Sequence, residues 1–277
     1  MLILILCLMI VPNAALAVPQ QGNYVAIGDS LAAGMTPAGG SGQGYADFLA
    51  KRITNNLGTY ENFGVPGLTS EDLKNILDDQ SAQFPLIRAN IAASDEQTVT
   101  ALVMKLMGIS DPLDPSLSSV VAGLRSGDEM VITGVFARLS PVLKLRIQKA
   151  IHNADIITLH IGGNDLLLAS QPENQDVILD AITKVGANTL DILTFIGQNQ
   201  DAKIYVMGYP YNDQLTGTLN ASIQNATALH NGNVTFVPTV EAFKKHYQKY
   251  LPANNVHPSH QGYMALTNIL WSAIKGK

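Results

Sequence analysis

Tyr24-Val25-Ala26-Ile27-Gly28-Asp29-Ser30-Leu31 decides how the rest of the chain is read. A short run of apolar residues ending in a Gly-Asp turn signal is the pattern of a strand buried on both faces. Working outward, residues 45–57 carry helical spacing and 59–63 form a second short strand. Thr69 and Ser70 followed by Glu71 and Asp72 mark a helix start. Residues 155–161 (DIITLHI) are β-branched and apolar, and they read as a strand. Beyond them the pattern gives a helix at 177–196, a strand at 203–207, a helix at 220–231 and a strand at 234–237. A closing helix spans 259–274, with Ser259 as its N-cap. Strands that alternate with helices predict an α/β domain, its central parallel sheet of about five strands covered on both faces. Residues 81–150 fit this alternation least. Met104, Met107, Ile109, Leu113, Leu117, Val120, Val121 and Leu124 place a partly apolar helical insertion there. It reads either as an extra helical layer on the core or as a lid over a substrate.

The composition narrows the class. Of 277 residues, 47% are hydrophobic and 14% charged, against roughly 25% charged in average usage, so a disordered chain is excluded. The net charge is −5 and no Lys/Arg cluster exceeds a pair, which argues against nucleic acid as a partner. The apolar run from Leu2 to Val11 is too short to span a bilayer, so no stable membrane span is expected. With Pro12 and the small-residue site Ala15-Leu16-Ala17, it reads as a secretory signal peptide over residues 1–17. Residues 18–277 then form the mature domain, expected to be extracellular or associated with the cell wall. Cys7 is the only cysteine, so the mature chain would have no disulfide, no cysteine nucleophile and no thiolate metal site.

Four turns carry the chemistry. Ser30 lies just past the first strand, on the sheet edge where ligands bind in open α/β folds. Gly67, in Asn62-Phe63-Gly64-Val65-Pro66-Gly67, lets the backbone approach a ligand and offer its N–H. Asn164, in Gly162-Gly163-Asn164-Asp165 after the strand at 155–161, supplies a side-chain amide of the kind an oxyanion site needs. His257, in Val256-His257-Pro258-Ser259, is the best-placed general base. Each residue alone has an ordinary structural reading as a turn, cap or core residue. Together they supply a hydroxyl, a base and hydrogen-bond donors, the parts of acyl transfer. No metal-ligand cluster or phosphate loop is present in the sequence, and no cofactor is expected.

The blocks YVAIGDSLAAG, NFGVPGLTS, IGGND and VHPSHQGY resemble, in order, the conserved blocks of the GDSL, or SGNH, hydrolases. The resemblance covers nearly all of the mature chain except 81–150, and its nearest likeness is to secreted bacterial esterases and lipases. It implies a flavodoxin-like three-layer α/β/α sandwich, the SGNH hydrolase fold, with the helical insertion between the second and third blocks. It also implies Ser30 as nucleophile and His257 as general base. The oxyanion donors it implies are the N–H groups of Ser30 and Gly67 and the amide of Asn164. The partner is then a small-molecule, lipid or glycan ester.

The sequence departs from the family at one place. An Asp usually stands two or three residues before the histidine, and here Asn254 and Asn255 occupy those positions. An Asn can orient an imidazole but cannot stabilise imidazolium by charge. Three readings follow. Ser30 and His257 work as a dyad, with Asn254, Asn255 or a backbone carbonyl orienting the ring. A carboxylate from elsewhere, such as Asp165 or Asp213, completes a triad. Or the chain is a weak or non-catalytic relative that binds esters or glycans. A polysaccharide O-acetylesterase would share the chemistry and differ in substrate.

Overall fold

The computed structural model describes residues 22–40, 43–80, 82–93, 95–107, 109–170, 174–198 and 201–276. The expected signal peptide, residues 1–17, lies outside the described residues. In chain order the elements are β1 (Tyr24–Gly28), α1 (Tyr45–Thr54), β2 (Tyr60–Gly64), α2 (Ser70–Leu77), α3 (Pro85–Ala93), α4 (Glu96–Met107), α5 (Pro115–Ser126) and α6 (Glu129–His152). They continue with β3 (Ile156–His160), α7 (Gly163–Ala169), α8 (Gln175–Ile196), β4 (Lys203–Met207), α9 (Gln214–Leu229), β5 (Val234–Val237), α10 (Val240–Lys244), α11 (Tyr247–Tyr250) and α12 (His260–Ile274). The five strands lie in the order β2-β1-β3-β4-β5, and every neighbouring pair is parallel.

The central strands read as apolar runs because both of their faces are covered. Along β1, Val25 and Ile27 enter one core, while Tyr24 and Ala26 enter the other. Ile157 and Leu159 of β3 and Ile204 and Val206 of β4 join the first core; Ile156, Tyr205 and Met207 join the second. This is the period-2 alternation of a strand between two helical layers. Tyr45, Leu49 and Ile53 of α1 meet Tyr263, Leu266 and Leu270 of α12 in the second core. The first core takes α2, α6, α8 and α9. The result is the expected α/β/α sandwich.

The insertion is an extension of the first core. Phe84, Ile87, Val99, Val103, Leu117, Val121, Leu124, Phe136, Leu139 and Ile147 are buried in the same cluster as the sheet residues. The rings of Phe84 and Phe136 stack 4.8 Å apart. The extra-layer reading therefore describes it better than the lid reading. One helix starts earlier than its apolar spacing suggests: α9 begins at Gln214 rather than near Asn220, because Asp213 caps it by accepting from Thr216 N at 2.8 Å. No helix among the described residues is long and apolar enough to cross a membrane.

Gly28 shows how tightly β1 and β3 are joined. It pairs with His160 across the ladder at φ +151, and a Cβ placed there would lie 2.0 Å from the His160 carbonyl oxygen. Backbone cannot swing aside as a side-chain tip can. Gly28→Ala is expected to cost about 3 kcal/mol of stability. Urea unfolding should show this as a lower midpoint at unchanged slope.

Candidate functional site

The sheet order places a reversal between β1 and β3. From β1 the chain moves to β2 on one side, then crosses back to β3 on the other, which opens a crevice at the carboxyl ends of these strands. Ser30 follows β1 and Asn164 follows β3, so both sit at that crevice. His257 reaches it from the loop before α12.

Ser30 Oγ lies 3.1 Å from His257 Nε2, within hydrogen-bond reach of a nucleophile and its base. Ser30 is 8% exposed and Asn164 7%. Among the described residues, neither the Ser30 N–H nor the Gly67 N–H has a hydrogen-bond partner. Both residues are buried, where N–H groups are usually paired, and both lie on the turns expected to hold an oxyanion. Gly67 stands at φ +82, where the Leu86 and Ile87 side of α3 packs against it at 3.3–3.4 Å from a notional Cβ. Asn164 donates through Nδ2 to the Leu68 carbonyl at 2.9 Å. This bond fixes its amide beside the Gly67 turn and leaves the second N–H of the NH₂ group to donate elsewhere.

Two residues that the sequence patterns do not single out, Asp29 and Tyr209, hold these turns together. Asp29 is buried and accepts from Leu31 N at 2.9 Å and from His160 Nδ1 at 3.2 Å. It also accepts from the Tyr209 hydroxyl, which in turn accepts from Gly163 N at 2.6 Å. The Tyr209 backbone is clamped by Asn220 through both its N–H, at 2.7 Å, and its carbonyl, at 2.9 Å. The turns after β1, β3 and β4 are thus bonded to one another beneath Ser30. No local pattern shows this, although an Asp inside the first motif is a visible hint.

The candidates for the missing acid are placed differently. Asn255 Oδ1 accepts from the backbone N–H of His257 at 2.8 Å, while its Nδ2 donates to the Pro37 carbonyl at 2.8 Å. It shapes the loop, and among the described residues its side chain makes no hydrogen bond to the imidazole. Asn254 is exposed, at φ +59, and makes no side-chain hydrogen bond among the described residues. Asp213 is occupied as the cap of α9. Asp165 accepts from Ser70 N at 2.9 Å and from Ser70 Oγ at 2.7 Å, which ties the Asn164 turn to the start of α2. Its burial pushes the carboxyl pKa up to about 6, with the Ser70 bonds acting the other way. Neither carboxylate meets His257. The ring sits below its ordinary pKa because it is buried; the Asp29 charge pulls partly upward. The His257 loop is further held by a hydrogen bond from the Tyr211 hydroxyl to the Val256 carbonyl.

A cavity of about 920 Å³ opens beside Ser30 and Asn164. Its walls come from α7, the start of α9, Tyr209 and Tyr211, and residues 247–256, and among the described residues none comes from the insertion.

Comparison with known proteins bears on the family and the fold. The GDSL-like Lipase/Acylhydrolase family matches residues 24–270, from the first residue of β1 into the last helix. Among solved structures, a lipase from a goat rumen metagenome is 18% identical, with a TM-score of 0.57, over 91% of this chain and 96% of that chain. A lipase/acylhydrolase from Enterococcus faecalis is 17% identical, with a TM-score of 0.52, over 92% and 95%. An acetylxylan esterase from Geobacillus stearothermophilus is 17% identical, with a TM-score of 0.52, over 92% and 94%. At these identities the three structures share the fold. No curated protein matches the sequence. The length of the family match and the sheet that carries it make this chain a member of the GDSL-like lipase/acylhydrolase family of carboxylic ester hydrolases.

Proposed function

We propose that this chain is an exported serine hydrolase that cleaves carboxylic esters through an acyl-enzyme on Ser30. The carrying observation is the 3.1 Å contact between Ser30 Oγ and His257 Nε2, together with the N–H groups of Ser30 and Gly67, which have no hydrogen-bond partner among the described residues. His257 takes the Ser30 proton as Oγ attacks the ester carbonyl. The developing oxyanion is met by the N–H groups of Ser30 and Gly67 and the amide of Asn164. Collapse expels the alcohol, which takes the proton from His257. Water then attacks the acyl-enzyme with His257 again as base, releasing the acid.

The site works as a dyad, with Asn255 positioning His257 through its backbone N–H. An imidazole held below its ordinary pKa of about 6.5 is neutral at pH 7, as a base must be. The non-catalytic reading draws its support from the absence of a carboxylate partner for the imidazole among the described residues. It leaves unexplained why the Ser30–His257 contact and the two N–H groups coincide. The apolar leader at residues 1–17 supports export.

A fluorophosphonate probe tests the proposal. It should add one phosphonyl group to the peptide that contains Ser30 and abolish hydrolysis of p-nitrophenyl butyrate in step with labelling. Labelling elsewhere, or full activity after Ser30 is labelled, would remove the reading.

A further inference from the structure

The cavity beside Ser30 has a polarity and a charge that select among esters. Its lining is mostly apolar, with Leu166 and Leu167 on α7, Leu215 and Leu219 on α9, and Tyr211 and Leu251, interrupted by neutral polar side chains such as Ser170, Thr216 and Gln248. Leu219 and Leu251 are buried, whereas Asp213 is exposed, so the Asp213 charge stands on the solvent side of the lining. At about 920 Å³ it is far larger than an acetyl group needs, and it matches the size of pockets that enclose a whole small ligand.

The charge is all of one sign. Among the described residues that line the cavity, none is Lys or Arg, and two are carboxylates, Asp29 and Asp213. Asp29 is buried and meets three donors, so its charge is satisfied internally. Asp213 is exposed. A helix N-terminus is ordinarily a welcoming site for an anion, but Asp213 already fills that of α9. Its Oδ1 takes the Thr216 N–H at 2.8 Å and its Oδ2 the Thr216 hydroxyl at 2.7 Å. The cap fixes a negative charge where an anionic substrate would otherwise find donors.

We propose that this site takes neutral esters bearing one apolar chain, and that Asp213 turns away esters carrying a phosphate or another anionic group. The inference rests on the hydrolase reading for its kinetic consequence, though not for the binding preference itself. It has a second consequence. Hydrolysis converts a neutral ester into a carboxylate, which the same charge helps to expel.

Two matched pairs of compounds test it on the full chain. Monooctanoylglycerol and 1-octanoylglycerol 3-phosphate have the same ester bond and differ in the phosphate alone. The ether 1-O-octylglycerol and its 3-phosphate report binding without hydrolysis, and they are used with Ser30→Ala. The neutral member is expected to lead by about tenfold or more in kcat/KM and in Kd, the scale of repulsion between neighbouring like charges at a partly exposed site. The lead should shrink severalfold in Asp213→Asn, since Asn caps a helix as well as Asp. It should also shrink in 0.5 M salt. Monoacetylglycerol should be cleaved at least tenfold less efficiently than the octanoyl ester, because each buried methylene adds apolar contact. Equal or reversed binding of the ether pair overturns the inference whether or not the protein hydrolyses anything. So does an Asp213→Asn variant that keeps the full discrimination. If the ether pair behaves as expected but no ester is cleaved faster by the unaltered chain than by Ser30→Ala, the hydrolase reading fails and the charge selection stands.

Discussion

Ser30→Ala should lower kcat for p-nitrophenyl butyrate by about 10⁴-fold or more, His257→Ala should do the same, and the double variant should be little worse than either. The expectation follows from the 3.1 Å contact between Ser30 Oγ and His257 Nε2. A serine hydroxyl is a weak nucleophile until a base removes its proton, and a base without its nucleophile has nothing to activate. The two side chains therefore fail as a unit, and their losses do not add. What survives is the contribution of the N–H groups of Ser30 and Gly67 and the amide of Asn164, which Ala at position 30 leaves in place. Ala also fits the buried position without a new contact, so KM and the thermal midpoint should change little. Two losses that multiply would show instead that the residues act independently, and the acyl-enzyme mechanism would not stand.

How much of the fold and the site is legible in the sequence depends on how local each feature is. The strands are legible because β1, β3 and β4 are buried on both faces, and a buried parallel strand must be written in apolar residues. Ser30, Gly67, Asn164 and His257 are legible because each stands on a turn just after a strand or just before a helix, and the topology gathers those turns at one edge. The bond between Tyr209 and Asp29 joins residues 180 positions apart, and no spacing rule reaches that far. Asn255 is a candidate partner for the imidazole by its position, yet its Oδ1 bonds the N–H two residues on. That is the local habit of Asn in a turn, so the sequence does contain the signal. The cap of α9 is also readable, in Asp213 followed by Thr216. The position of the insertion is not: helical apolar spacing says that a face is buried, and it does not say against what. That face packs on the sheet's core, while α7, α9 and residues 247–256 build the cavity.

Asn254→Asp should raise kcat/KM by about tenfold to a hundredfold and move the acid limb of its pH profile upward. In the unaltered chain the His257 ring sits below its ordinary value because it is buried, so activity should persist to below about pH 6.5. A carboxylate near the ring favours the imidazolium that forms as Ser30 loses its proton, and each tenfold gain corresponds to about 1.4 kcal/mol. The same attraction raises the free-enzyme pKa, so the midpoint of the acid limb rises with the rate. Position 254 can accept the change. It lies three residues before His257, lines the cavity and is exposed, and its φ of +59 is one that Asp tolerates nearly as well as Asn. The neighbouring substitution is a built-in contrast. Asn255→Asp would keep an oxygen for the His257 N–H but lose the amide that donates to the Pro37 carbonyl. It would set a carboxylate against that carbonyl, so it should loosen the loop and lower activity. A gain at 254 with a loss at 255 would identify the first position as the one where an acid belongs. An unchanged rate and an unmoved acid limb in Asn254→Asp would show that the dyad works without a carboxylate beside the imidazole.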